Sequence, residues 1–379
     1  MKSTIISLGL FKHTGGPTKT VRDFKRALDA ELYSFCRHQM LKTHKLAVSD
    51  SCPVSVTMVP VFSQFHYTRK GALKAEDAVR QSDMVCCHSF YRYHALWTYK
   101  ICKLAGVPYS FVPHGILDPW VMRKNRIAKR LFLNFGGQRF IEDASVLIFS
   151  TKSEQEKAAS QFTFSNSEII PWPVEPVDIV GRNEKRVQIR KELGIPEKSR
   201  VLLYFGRIHP MKRPLQTIEA FAKSNAIDIH LLIIGNEDGI TKVDCMNLAR
   251  RLGVEKRMHF IGPIYGDRKY DTICACDAYI SLSHRENFNY TAAESLAAGL
   301  PIILSPGNDL RGELSGVGCC LNVEDDTLQS AIEAIRAFND LSLSKLQEMS
   351  MRGRNWVKEN LSFDQFKANL VSIHNRFAK

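Results

Sequence analysis

Glu286 and Glu294 lie in the run SHRENFNYTAAESLAAGLP, residues 283–301. The apolar stretch 278–282 reads as a strand that enters a polar loop, with a helix beginning near Asn289 or Tyr290. Glu294 then falls in the second turn of that helix and Glu286 in the loop ahead of it. The first N–H groups of a helix have no intrahelical acceptor, so its start suits a phosphate. The two carboxylates could accept hydrogen bonds from hydroxyls of a sugar and a ribose. On spacing alone they could equally be solvated surface groups.

A second cluster is YFGRIHPMKRP, residues 204–214. Arg207 and Lys212 follow a strand end, on a loop leading into a helix. Two cations there could neutralise a diphosphate and stabilise it as a leaving group. A third is HTGGPT, residues 13–18, where Gly15 and Gly16 would let backbone approach an anion at another helix start. It lacks the lysine of a P-loop and does not match G-x-G-x-x-G. A fourth is VPHGILDPW, residues 112–120. His114, fixed between Pro113 and Gly115 at a strand end, could hydrogen-bond a sugar hydroxyl or a transferring oxygen, or serve structure alone. The basic stretch 122–130 follows, interrupted by Ile127 and continued by Leu131 and Phe132. It could lie on anionic lipid or be a plain solvated helix face.

Short apolar runs and amphipathic stretches of helical length alternate to position these groups. Strands are expected at residues 5–10, 54–59, 84–87, 108–112 and 145–149, with a helix over 21–32. The pattern restarts after residue 180, with strands at 201–205, 230–235, 258–261, 278–282 and 301–304. Helices are expected at 214–223, 241–252 and 290–298. Such alternation implies parallel sheets with helices on both faces. The prolines of PWPVEPVD, residues 171–178, forbid helix and favour an extended connector. Two doubly wound domains in series, with ligand in a central cleft beyond the strand ends, are the expected α/β architecture.

The 379 residues exceed what one core usually organises. Net charge is +13, and residues 1–178 hold 24 basic against 15 acidic side chains, so the excess sits mainly in the first half. A nucleoside diphosphate, an anionic lipid surface or nucleic acid would each answer it. No zinc-finger spacing, aromatic RNA-binding pattern or basic repeat supports nucleic acid, which is not expected as a partner. The ten cysteines show no C-x-x-C pair and sit mostly in apolar stretches, as reduced thiols of a cytoplasmic protein would. The apolar run at the N-terminus is too short for a signal-peptide core, and nothing approaches the roughly 18–20 apolar residues of a membrane span. The expected location is cytoplasmic, at most peripheral on the inner face of a membrane.

The run from Glu286 to Glu294 resembles the E-x7-E motif of retaining GT-B glycosyltransferases, specifically glycosyltransferase family 4. CDAYISLS (276–283) ahead of it and AAGLP (297–301) behind it fit the same pattern. The resemblance implies that Glu286 lies against donor-sugar hydroxyls, that the backbone at Phe288, Asn289 and Tyr290 approaches the diphosphate, and that Glu294 binds the ribose. Asn289 stands where the family usually has glycine, and asparagine tolerates left-handed or cap geometry. Residues 206–213 resemble the family's Gly-Arg and Lys-Gly element, with Arg213 in place of its glycine, which carries the role to Arg207 and Lys212. Gly15 and Gly16 resemble its N-terminal glycine loop beside the donor phosphates. LIIGN (232–236) and FIGPI (260–264) resemble strand ends around the nucleotide base, which adds Ile264. His114 to Trp120 resembles a subset that builds surface polysaccharides.

The resemblance implies two Rossmann-like domains, residues 1–176 on the acceptor side and 177–358 for the donor. The segment 359–379 would cross back as a helix onto the first. The implied reaction is metal-independent transfer, with retention, from a uridine- or guanosine-diphosphate sugar to a saccharide or lipid-linked saccharide hydroxyl. Glu286, His114, Arg207 and Lys212 are the expected catalytic groups. No D-x-D pair is placed for a metal and no cofactor is expected. A nucleotide-sugar epimerase or a phosphorylase on the same scaffold would use similar phosphate contacts.

Overall fold

The structure, a computed structural model, describes residues 2–8, 10, 15–37, 57–61, 67–68, 72–178 and 181–378. It divides into two compact units: Met1–Pro173 with Phe363–Lys379, and Val174–Ser362.

The first unit contains β1 (Ser3–Leu8), β2 (Glu31–Arg37), β3 (Thr57–Val61), β4 (Met84–His88), β5 (Tyr109–Val112), β6 (Val146–Phe149) and β7 (Ser167–Ile169). They form a parallel sheet in the order β3-β2-β1-β4-β5-β6-β7. Strands β4, β5 and β6 are buried along their whole length. Burial on both faces is why they read as unbroken apolar runs. The expected helix over 21–32 is instead Gly16–Leu28, followed by a strand. Asp29 turns left-handed (φ 49°) and the Ala30 N–H closes on the Lys25 carbonyl. Leu28 and Leu32, four apart, mimic a helical face across that turn. The first strand begins at Ser3 rather than Ile5, and the one expected at 54–59 is Thr57–Val61, residues 54–56 lying outside the described set.

The C-terminal helix Phe363–Phe377 belongs to this unit and packs on Gly16–Leu28. Phe24 and Phe366 meet edge to face at 5.3 Å, and the Arg26 guanidinium lies 3.9 Å from the Phe363 ring centroid. His374, fully buried, places Nδ1 3.4 Å from the Ser3 hydroxyl.

The second unit contains β8 (Arg200–Phe205), β9 (Ile229–Ile234), β10 (Met258–Gly262), β11 (Ala278–Ser281), β12 (Ile302–Leu304) and β13 (Cys320–Asn322). They too run parallel, in the order β10-β9-β8-β11-β12-β13. The helix Pro214–Lys223 starts on a proline, whose missing N–H costs nothing there. Lys242–Arg251 starts on a reciprocal capping box between Thr241 and Asp244. β11 is registered by a buried charge cluster at its start. Asp277 accepts from Arg190 at 2.6 Å, Arg186 at 2.7 Å and the Val201 N–H at 2.7 Å. Arg190 also donates to the Ala275, Glu197 and Ser199 carbonyls, so every nitrogen of its buried guanidinium has an acceptor.

Candidate functional site

In the second unit the strand order reverses between β8 and β11. A doubly wound sheet opens a crevice beyond the carboxyl ends of its strands at such a switch point. The loop after β8 carries Gly206, Arg207 and Lys212; the loop after β11 carries Ser283, Glu286 and Asn289. The His284 N–H donates to the Met211 carbonyl at 2.8 Å and stitches the two loops together. Lys212 is the next residue along, and its ammonium meets the Glu286 carboxylate.

Both partners are positioned by backbone. The Lys212 stem lies over Gly206, with Cε 3.9 Å from where a Cβ would stand. Glu286 donates its N–H to the Gly307 carbonyl at 2.7 Å and accepts from the Asp309 N–H at 2.9 Å. Gly307 has no room for a side chain, because a Cβ would come within 2.3 Å of the His284 carbonyl oxygen. The Ser283 hydroxyl donates to Glu286 Oε1 at 3.3 Å. Burial, reinforced by the Arg207 guanidinium, pushes the Lys212 pKa down to about 7. The touching carboxylate works the other way and favours the ammonium.

Of the four side chains expected on one ligand, Lys212 and Glu286 are in contact, and Arg207 is near enough for Lys212 to feel its charge. Arg207 is itself half exposed and paired with Asp238. Glu294 follows on the helix Tyr290–Ala297, nearly buried, with Lys269 Nζ 2.6 Å from its carboxylate. Lys269 comes from the helix Asp267–Cys274. No spacing rule marks it in the sequence.

The two departures from the family's glycines both fall on left-handed backbone, Asn289 at φ 54° and Arg213 at φ 53°. Asn289 caps its helix by accepting from the Ala292 N–H at 3.2 Å. It also donates to Asn308 Oδ1 at 2.7 Å and accepts from the Tyr279 hydroxyl at 3.2 Å. Arg213 bonds Asp326 at 3.0 Å and His284 Nδ1 at 2.9 Å, bracing the loop that carries Lys212. Phe288 is buried and meets Tyr290 edge to face at 5.2 Å. Ile264 lies half-buried in the loop after the edge strand β10. The ends of β8, β9 and β10 pass very close together. Gly235 donates to the Gly262 carbonyl at 3.1 Å, and a Cβ on it would come 1.7 Å from the Gly206 oxygen.

In the first unit, Gly15 (φ 63°) precedes the helix that Gly16 opens, and a Cβ on Gly15 would meet nothing within 4 Å. His13 and Thr14 of that loop lie outside the described residues. His114 follows β5 in left-handed conformation (φ 56°). Its Nε2 is 3.0 Å from Nδ1 of His88, at the end of β4, and the rings stack at 5.2 Å. Burial pushes His114 down to about 4 and His88 well below its ordinary value, so both rings are neutral, one donating and one accepting. The buried Glu154 fixes the turn, accepting from the Gly115 N–H at 2.6 Å and from Ser150 at 2.8 Å. Sequence pattern singled out neither His88 nor Glu154. Among the described residues no three His, Cys, Asp or Glu side chains cluster as a metal site, and the nine described cysteines are unbridged. No described helix is long and apolar enough to cross a membrane.

Residues 185–356 match the model of the family Glycosyl transferases group 1, a segment inside the second unit. A D-inositol 3-phosphate glycosyltransferase of Stackebrandtia nassauensis is 24% identical over 64% of this chain and 57% of its own length. N-acetyl-alpha-D-glucosaminyl L-malate synthase of Bacillus anthracis is 27% identical over 49% of this chain and 48% of its own. The chain thus spans about half the length of the curated relatives it matches. Among solved structures, Anabaena HepE in complex with UDP is similar with a TM-score of 0.77, at 16% identity, over 98% of this chain and all of that one (100%). WaaG, a glycosyltransferase involved in lipopolysaccharide biosynthesis, is similar with a TM-score of 0.70, at 16% identity, over 98% and 99%. Two doubly wound parallel units of this kind define the GT-B fold. Within that class, it is the segment 185–356 that is similar to the family of glycosyl transferases group 1.

Proposed function

We propose that this protein is a retaining glycosyltransferase that moves a sugar from a uridine- or guanosine-diphosphate donor to a hydroxyl of a saccharide or lipid-linked saccharide. It would act in polysaccharide or glycoconjugate synthesis, in the cytoplasm, with peripheral contact between its basic first unit and an anionic membrane. The observation that carries the reading is the Lys212–Glu286 pair at the β8/β11 switch point, inside the segment that matches the family. A cation there answers the charge that builds on a departing diphosphate, and a charge-assisted contact of this kind contributes roughly 1.5–3 kcal/mol. In this reading Arg207, Lys212 and the helix start at Asn289 and Tyr290 serve the leaving group without a metal. Gly15 and Gly16 approach the donor phosphates and Ile264 borders the base. Phe288 and Glu294 complete the donor pocket, with Glu294 on the ribose. Glu286 lies against the sugar and His114 against the transferring oxygen. The donor phosphate itself takes the acceptor proton on the same face of the sugar.

A thermal-shift panel of nucleotides and nucleotide sugars tests the proposal. A ligand at about 100 times its Kd stabilises the folded state by about 2.7 kcal/mol. One diphosphate nucleotide should raise the melting temperature clearly, and Glu294→Ala and Arg207→Ala should each abolish the shift. A panel in which every nucleotide is inert would overturn it. With the binding donor in hand, a product formed without acceptor would indicate an epimerase, and one that consumes or releases inorganic phosphate a phosphorylase.

A further inference from the structure

We infer that the surface of residues 119–139 in the first unit is a wedge that enters the headgroup layer of an anionic phospholipid leaflet. The inference deepens the membrane-contact part of the proposed function and rests on it, but not on the transfer chemistry. The chain here breaks into two short helices, Pro119–Arg123 and Arg126–Phe132, joined at left-handed Asn125 and continued by the wider turn Leu133–Gly137. The inward face needs nothing more to cover it. Phe132 is buried against Phe90 at 5.0 Å and Tyr91 at 5.4 Å, and the Tyr91 hydroxyl reaches Met122 Sδ at 2.6 Å.

The outward face is a different matter. Ile127, Leu131 and Phe135 follow at intervals of four and are 80%, 51% and 77% exposed. Ile127 and Leu131 stand a turn apart on the second helix and Phe135 on the wider turn that follows it, and three large exposed apolar side chains so close in the chain form a ridge, whereas single ones are ordinary. Arg123, Lys124, Arg126, Arg130 and Arg139 of the same segment are exposed, Lys129 turns inward to the Val121 carbonyl and the Tyr91 ring, and the sequence holds no carboxylate between Asp118 and Glu142. Lys124 covers the half-buried Trp120 ring, its Nζ 4.3 Å from the centroid. Cations interleaved with apolar side chains on each turn match a surface that is anionic outside and apolar just beneath. The arginines meet phosphates while the ridge reaches the acyl boundary. Nucleic acid would answer the charge but leave the ridge wet. A protein partner would have to bury three apolar residues on a stretch of chain that carries no carboxylate.

The test is partition of the full protein onto phosphatidylcholine vesicles with and without phosphatidylglycerol. Two variants accompany it: Ile127→Ser with Leu131→Ser and Phe135→Ser, and Arg123→Gln with Arg126→Gln and Arg130→Gln. All six positions are exposed, so both variants should fold, which their circular dichroism and melting temperatures check. The unmodified protein should bind the anionic vesicles at about 0.15 M salt. Each variant should bind them at least about tenfold more weakly. Nucleotide thermal shifts should be the same in all three proteins, so a failed wedge and a failed donor site give different results. The inference is overturned if the unmodified protein ignores anionic vesicles, or if the apolar triple variant binds them as well as it does. It is overturned equally if the unmodified protein is a dimer that the apolar variant dissolves, or if it binds single-stranded RNA more tightly than vesicles through the same arginines.

Discussion

The Lys212 ammonium and the Glu286 carboxylate touch each other where the loops after β8 and β11 are stitched together. In the proposed function Glu286 occupies the cation that a diphosphate would take. The two anions therefore compete. Glu286→Gln should leave nucleoside-diphosphate affinity unchanged or raise it by up to about tenfold, equivalent to 1.4 kcal/mol. Sugar transfer should fall at the same time if, as proposed, Glu286 accepts from the donor sugar. Calorimetric titration with UDP and GDP, beside initial rates, separates the two effects. Loss of nucleotide affinity in this variant would sink the competition.

The pH dependence follows from the same lysine. Burial and Arg207 push its pKa down to about 7, so rising pH strips the proton from Lys212 in the ligand-free protein well before an ordinary lysine would lose it. Diphosphate affinity should then decline between about pH 7 and 9, a range in which an unperturbed lysine stays charged. Lys212→Gln should bind weakly and with a flat profile. A slope that survives in Lys212→Gln would assign the titration to another group.

The buried cluster at the start of β11 governs stability rather than chemistry. Asp277 is the counter-charge of Arg190, and removing one member of a buried pair strands the other. Asp277→Ala should destabilise the second unit by about 3–5 kcal/mol. The double variant Asp277→Ala with Arg190→Met should recover part of that loss, since the buried charge is gone and only the partly exposed Arg186 is left without its carboxylate. Urea unfolding followed by a probe in the second unit checks both. Equal losses in single and double variants would show that packing, not charge, is what the cluster supplies.

Asn289 stands at a left-handed position that also caps the helix carrying Glu294. Asn289→Gly should cost about 1 kcal/mol, because the backbone is satisfied while the bonds to Tyr279 and Asn308 are lost. Asn289→Ala loses the cap and strains the backbone as well, at about 2 kcal/mol. Chemical denaturation of the two variants should rank them in that order. The reverse ranking would mean that the backbone angle is not what selects asparagine here.

The doubly wound class was legible because the buried strands are unbroken apolar runs, as at 84–87 and 146–149, with amphipathic stretches between them. β2 was not, because Leu28 and Leu32 continue a helical spacing across the turn at Asp29. β7 and β13, three residues each, are too short to carry any period. At the site, Glu286, Lys212 and Asn289 could be named only through the resemblance to family 4, because spacing alone left the charged groups as readily solvated surface residues. Lys269, Asn308 and Asp238 come from other loops and helices, and only the folded sheet brings them to the same edge. Lys269 decides the charge around Glu294, yet nothing in its neighbourhood of the sequence distinguishes it from a solvated helix lysine.

Acid should unfold this protein through its buried imidazoles. Burial holds His374, His114 and His230 at about 4, and His88 well below its ordinary value. In the unfolded chain each titrates near 6.5. Above that pH neither state carries the protons, and the stability of the neutral buried rings is fully present. As pH falls through about 6.5 the unfolded chain takes up protons that the folded one refuses, so stability is lost progressively until about pH 4. In that window a fully buried ring such as His374 contributes a slope of at most about 1.4 kcal/mol per pH unit. Melting temperatures should therefore drop from pH 7 to pH 5, and His374→Gln should flatten the curve by about one proton. His114→Gln should flatten it too, since it also removes the second of two stacked rings that cannot both be charged at 3.0 Å. Curves that stay parallel to the unmodified protein's would place the acid sensitivity in carboxylate pairs instead.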